Sequence, residues 1–182
     1  MTDRYGSFTP EDYVPIFKKM GVTMVVRLNK PQYDKKKFTK HGIKHVDLYF
    51  LDGSTPKDDI VEQFLYHAEN EKGALAVHCK AGLGRTGALI ALWVMKHIGF
   101  PPADFIGWIR IARPGSILGP QQQYLNNMDD KMMKAGGAAK RAELIKAFGD
   151  LSISRTKTRD YTNAENKVIN DGDAGQGERM VN

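Results

Sequence analysis

The stretch VHCKAGLGRTG, Val77 to Gly87, decides how this chain is read. It closes a short apolar run, Ala74–Val77, passes through a glycine-rich middle and opens a mostly apolar segment from about Thr86 to Ile98. That order predicts a buried strand, a tight loop and a central helix. Gly82, Gly84 and Gly87 satisfy G-x-G-x-x-G, so a dinucleotide-binding turn must be weighed first. Such a unit needs a second strand ending in an acidic residue about 20 positions on. Asp104 lies near that distance, but PPADFIGWIRIA around it starts a helix, so the context is wrong. The same residues also fit H-C-x-x-x-x-x-R-[ST], a far more specific arrangement.

A cysteine at a strand end, five loop residues and an arginine at a helix start let the chain curl around one tetrahedral oxyanion. The glycines permit backbone that turns successive N–H groups inward, and the helix N-terminus adds favourable partial charge. His78, Lys80, Ala81, Gly82, Leu83, Gly84 and Thr86 line this phosphate-binding loop. Arg85 can hold two phosphate oxygens with its planar fork, as a lysine does not. In that field the Cys79 thiol is expected to fall from about 8.5 into the range of about 3.5–7.5, giving a thiolate nucleophile. The chemistry implied is attack on phosphorus, a phosphocysteine and its hydrolysis. Departure of the ester oxygen needs an acid. Asp52, in the loop DGSTP after the second strand, is the best candidate; as a residue type it fits a plain turn equally well. Asp58 and Asp59 are weaker candidates, because first-turn helix positions already explain them. No metal or cofactor is required, since Arg85, the loop amides and the helix supply the positive charge.

Working outward, Thr9 reads as an N-cap before Pro10, with Tyr13, Ile16, Phe17 and Met20 on one helix face and Gly21 as its stop. Val22–Leu28 and Lys44–Leu51 read as strands, the first suited to a buried parallel sheet. Pro56 opens a helix that buries Ile60, Val61, Phe64, Leu65 and Ala68; Pro101–Pro102 and Pro120 open two more. Trp93 and Trp108 lie in apolar helical patterns and read as core, and Arg110 and Arg113 as structural. Strands alternating with helices predict an α/β domain with a mainly parallel central sheet flanked by helices. The domain is expected to end near residue 134. Residues 135–182 read as a mostly disordered polar tail, with a short helix around Glu143–Phe148.

The 182 residues hold one cysteine, which excludes an internal disulfide and a cysteine-based zinc cluster and reads as intracellular. No apolar run reaches the roughly 20 residues of a membrane span, and the polar opening lacks a secretory signal. The formal charge of +6 is spread evenly: residues 1–130 carry 17 basic and 14 acidic residues, and residues 131–182 carry 10 and 7. Only Lys30–Lys44 is densely basic, and it reads as a solvated face rather than a nucleic-acid patch.

AVHCKAGLGRTG (Ala76–Gly87) is the signature of the cysteine-dependent protein phosphatases. With VVRLNK (Val25–Lys30), FLDGSTP (Phe50–Pro56) and RIARPGSILGPQQQYL (Arg110–Leu125), the chain resembles the Cdc14-type dual-specificity phosphatases across residues 8–130. The resemblance implies a protein tyrosine phosphatase-like fold and phosphorylated protein substrates, with Cys79, Arg85 and Asp52 as nucleophile, phosphate binder and general acid. It implies preference for phosphoserine before proline alongside phosphotyrosine, water positioning by Gln121 or Gln122, and a location in cytoplasm or nucleus, including cytoskeleton or spindle. Family members carry a second, N-terminal domain, and the resemblance leads to the expectation that it is lacking here, along with the strands that usually open the catalytic domain. An uncovered sheet edge is expected. Phosphoinositide phosphatases of related type carry lysines at both variable loop positions; here Lys80 is basic and Leu83 is not. An inactive phosphate-binding module remains as a further alternative.

Overall fold

The computed structural model of the chain describes residues 8–149. The tail expected beyond them, like residues 1–7, lies outside the described residues. In order, the elements are α1 (Pro10–Lys19), β1 (Val22–Arg27), α2 (Lys36–Thr39), β2 (Lys44–Asp47), α3 (Asp58–Asn70), β3 (Ala74–His78), α4 (Gly84–His97), α5 (Pro102–Ala112) and α6 (Pro120–Met132). A π-helical turn, Met133–Gly137, then leads into α7 (Ala138–Gly149).

The strands form a parallel sheet in the order β2-β1-β3 among the described residues, as the α/β reading expects. Val26 stands opposite Val46 on one side and Val77 on the other, and Arg27 opposite Asp47 and His78. A strand's side chains alternate between faces. Met24, Val26 and Leu28 accordingly enter the main core with Phe64, Leu89, Leu92 and Leu125, while Val25 joins Val14, Phe38 and Ile43 beneath α1 and α2. The all-round apolar character of α4 is explained by its place in the centre of this core, where Ala88, Leu89, Ala91, Leu92 and Met95 are fully buried. At the start of α1 the Thr9 amide and hydroxyl both donate to the Asp12 carboxylate, at 2.7 and 2.8 Å.

Three expectations need correction. Regular pairing of β2 stops at Asp47 rather than Leu51, although the Leu48 and Phe50 amides still donate to the Arg27 and Leu28 carbonyls. Trp108 is 56% exposed, on the outer side of α5, and is not core. The boundary at 134 falls just before a kink, Gly136 at φ 145°, beyond which the chain continues as a second helix that packs on the first. Gly137 is buried against Met133 and Met95, and Arg141 on α7 donates to the Gly99 and Phe100 carbonyls and clasps Asp129 at 2.6 and 3.0 Å. The helix therefore spans residues 138–149 and its first half is docked, rather than a short segment in a loose tail.

Candidate active site

The three parallel strands end on the same side of the sheet, and their exits converge on one guanidinium. Arg85, in the first turn of α4, is 3% exposed; its Nη1 donates to the carbonyls of Leu28 after β1 and Phe50 after β2, at 3.2 and 3.0 Å. Nη1 is thus occupied in fixing the side chain. The opposite edge, Nε and Nη2, is the one left for two oxygens of a ligand. Nε lies 3.2 Å from Asp52 Oδ1, an ion pair without hydrogen-bond alignment. A cleft of about 420 Å³ opens here, lined by Arg85, Asp52, Lys80, Lys30, Tyr49 and Asn29 among others.

Cys79 follows β3 directly and is 7% exposed. Gly82, with a φ of 70°, turns the loop so that its amide donates to Cys79 Sγ at 3.1 Å. Burial pushes the Cys79 thiol up, but the Thr86 hydroxyl, the Thr86 and Gly82 amides and the Arg85 charge together outweigh it and hold the thiol below its ordinary value. The Thr86 hydroxyl is buried and makes no well-aligned bond to another protein atom, so its proton is free to turn to the sulfur. His78 Nδ1 lies 3.2 Å from the Cys79 carbonyl oxygen. Burial is also what lowers the His78 pKa. Lys80 and Ala81 are exposed at the loop crest, Leu83 and Gly84 half-buried at the start of α4.

Gln121 is 1% exposed and bridges two loops: its Nε2 donates to the Ser54 carbonyl at 3.1 Å and its Oε1 accepts from the Leu118 amide at 3.3 Å. A Cβ on Gly84 would come within 2.8 Å of Gln121 Oε1 and push the glutamine side chain aside. The structure therefore brings Gln121 to the candidate phosphate-binding loop and the loop that carries Asp52 at once. Gln122 is half-buried on α6 and, unlike Gln121, makes no side-chain hydrogen bond to either loop among the described residues. Arg110 donates to the Ser116 and Ile117 carbonyls at 3.0 and 2.7 Å, a structural use as expected. It holds Ile117 in a left-handed backbone, φ 59°, unusual for a β-branched residue, with the side chain wedged against Gly87. Arg113 stays exposed, its guanidinium close over Gly82.

Sequence reasoning missed the placement of Lys30 and Tyr49 on the cleft, and a partly buried cluster in which Arg27 and His45 lie inside, Tyr33 half-buried and Asp47 at the surface. A basic residue just past the end of a strand was the available signal for Lys30. For the cluster there was none, because it depends on sheet register.

Comparison with known proteins bears on the family and the fold. A family profile described as "Polymorphic toxin system, DSP-PTPase phosphatase" matches residues 2–99, more than half of the 182. The chain is 58% identical over 132 residues to the dual specificity protein phosphatase CDC14A of Homo sapiens, covering 72% of this chain and 22% of that protein. It is 44% identical over 190 residues to the dual specificity protein phosphatase CDC14AB of Danio rerio, covering 97% and 31%. The chain thus spans less than a third of the length of these relatives. The crystal structure of PTPMT1 shares the fold, with a TM-score of 0.63 at 20% identity over 74% of this chain and 92% of that one. By profile and sequence, the chain belongs to the DSP-PTPase phosphatase family and is homologous to Cdc14 dual specificity phosphatases.

Proposed function

We propose that this chain hydrolyses phosphate monoesters on protein serine, threonine and tyrosine, with phosphoserine before proline among its targets, through a phosphocysteine intermediate. The observation that carries this reading is the convergence on Cys79 Sγ of the Gly82 amide, the Thr86 hydroxyl and the Arg85 charge, which favour the thiolate.

In the first step the Cys79 thiolate attacks phosphorus as the bond to the ester oxygen breaks, and Asp52 gives that oxygen its proton. Arg85 holds two of the remaining phosphate oxygens through Nε and Nη2, and the amides of Gly82 and its neighbours hold the rest. In the second step a water attacks phosphorus and gives a proton to Asp52, the P–S bond breaks, and inorganic phosphate leaves with the thiolate restored. Gln121 positions that water from beside Gly84, and Gln122 takes no part. The Thr86 hydroxyl stabilises the sulfur as it leaves. The loop residues His78, Lys80, Ala81, Leu83 and Gly84 shape the cradle. None of these roles calls on a metal or cofactor.

Among the described residues, no helix is long and apolar enough to cross a membrane. The working compartment is a reducing one, cytoplasm or nucleus, where a solitary thiolate persists. Lys30 on the same cleft as Lys80 favours one second reading, a phosphoinositide carrying further phosphates.

Turnover of phosphoserine and phosphotyrosine peptides and of inositol phospholipids by wild type and Cys79→Ser tests the proposal. Peptide hydrolysis lost in Cys79→Ser is expected. Hydrolysis of inositol lipids alone would transfer the assignment to the second reading, and equal activity of both proteins would end it.

A further inference from the structure

Beside the nucleophile's strand lies a partly buried polar cluster in which the proposed reaction uses His78 alone. The Tyr33 hydroxyl is 2.7 Å from His78 Nε2 and 3.0 Å from His45 Nε2. His45 belongs to β2 and its side chain is fully buried. Arg27 lies 4.5 Å over the Tyr33 ring, donates from Nη1 to the Tyr33 carbonyl at 2.6 Å, and clasps Asp47 at 2.6 and 3.2 Å. At the far end His78 Nδ1 reaches the Cys79 carbonyl oxygen at 3.2 Å.

Counting protons fixes the direction of the chain. A carbonyl oxygen only accepts, so His78 bonds Cys79 only when its proton is on Nδ1. Neutral His78 then presents a bare Nε2, which takes the one hydroxyl proton of Tyr33. The Tyr33 oxygen must in turn accept, and the donor is His45 Nε2–H. That leaves His45 Nδ1 bare, and it is the ring nitrogen that is buried without a partner, 4.0 Å from Asp47 Oδ2 and beyond bonding range. The opposite order would set a bare His78 Nδ1 against the Cys79 oxygen, two acceptors facing each other. Both imidazoles are held neutral: burial first, and the Arg27 charge next, push His45 down to about 4, and burial likewise lowers His78.

We propose that His45 is a positioning residue for the nucleophile: acting through Tyr33, it selects the Nδ1–H tautomer of His78 and so holds the Cys79 carbonyl and the first peptide of the phosphate-binding loop. The inference rests on Cys79 being the nucleophile, but its tests read tautomers and thiol reactivity rather than turnover. With its oxygen engaged, the Cys79 carbonyl opposes the thiolate less than a free carbonyl dipole does. Breaking the chain therefore raises the thiol pKa. The other groups facing the two ends remain in place: Arg85, Thr86 and Gly82 at the sulfur, with Asp52 and Lys80 on the cleft, and Arg27, Asp47, Lys35 and His78 around His45.

The chain contains one cysteine, so the pH dependence of iodoacetamide alkylation reports Cys79 alone. His45→Leu and Tyr33→Phe are expected to raise the alkylation midpoint by about one pH unit. His45→Gln, whose side-chain amide can replace Nε2–H, is expected to restore most of it. In ¹⁵N-labelled wild type at neutral pH, long-range imidazole correlations should read His45 as Nε2–H and His78 as Nδ1–H. An Nε2–H tautomer at His78, or a folded His45→Leu protein with an unshifted midpoint, overturns the proposal; if His45→Leu does not fold, the wild-type tautomers decide. A shifted midpoint in a protein without phosphatase activity would refute the nucleophile's role and leave the positioning chain standing.

Discussion

Arg85 Nε lies 3.2 Å from Asp52 Oδ1, so the buried arginine and the exposed carboxylate of the acid loop hold each other across the cleft. The pair is unequal: the Asp52 side chain is 69% exposed, that of Arg85 3%. Arg85 is fixed from behind by the Leu28 and Phe50 carbonyls, whereas Asp52 is free to swing. A phosphate dianion entering the cradle competes for the same Nε. Its two oxygens match the guanidinium fork better than one poorly aligned carboxylate oxygen does. In the proposed mechanism, binding displaces Asp52 from the arginine and releases it toward the leaving oxygen.

Asp52→Asn accordingly has opposite effects on binding and turnover. Tungstate, an unreactive oxyanion, should bind about 2–5-fold tighter, the worth of a mostly exposed ion pair. Hydrolysis should slow by about 10²-fold, and more for alkyl phosphates, which need their oxygen protonated, than for p-nitrophenyl phosphate. Calorimetry and initial rates read the two effects, and weaker tungstate binding would show that Asp52 supports the cradle instead of competing with the ligand.

Gln121→Ala removes the link between the Ser54 carbonyl and the turn at Leu118, loosening the acid loop beside Gly84. A fall in kcat of about 10–100-fold is expected, with KM changing much less, because misplacement costs the oriented step more than it costs binding. Gln122→Ala should behave like wild type. Steady-state kinetics of the two variants decide between the adjacent glutamines.

The candidate site was legible because its residues are close together in sequence. Five residues between Cys79 and Arg85 are enough to describe a cradle, and DGSTP after a strand places a carboxylate at the same sheet edge. The Tyr33–His45–His78 chain was not legible, since it joins residues 12 and 45 positions apart through the register that sets Arg27 opposite both Asp47 and His78. Helix α7 was mistaken for tail because AGGAAK reads as linker. Gly136, at φ 145°, instead makes a kink that folds the chain back, and Gly137 fits where no side chain could, against Met133 and Met95. Trp108 failed for the converse reason: an apolar helix pattern tells which residues share a face, not whether another layer covers it.

His45 makes stability depend on pH with a definite sign. Its folded pKa is held at about 4, below the ordinary 6.5, so the unfolded chain binds the proton first as pH falls. The contribution is complete above about pH 6.5 and is lost progressively down to about pH 4, by at most about 3 kcal/mol. Urea unfolding at pH 7 and pH 5 should show wild type losing more stability than His45→Gln. Equal losses would mean that His45 titrates normally in the folded protein.

Arg141→Ala leaves the Gly99 and Phe100 carbonyls and Asp129 without their shared donor. A loss of about 1–3 kcal/mol is expected in urea unfolding, with kcat near wild type because α7 contributes no residue to the cleft. No change in stability would show that α7 adds little to the core it packs on.

Intact-mass spectrometry of the protein quenched in acid during turnover of a phosphopeptide tests the phosphocysteine most directly. One added phosphoryl group should appear on wild type, accumulate further in Gln121→Ala if that residue positions the hydrolytic water, and be absent from Cys79→Ser. Rapid release of phosphate with no phosphorylated protein at any quench time, or an adduct that persists in Cys79→Ser, would contradict a mechanism routed through Cys79.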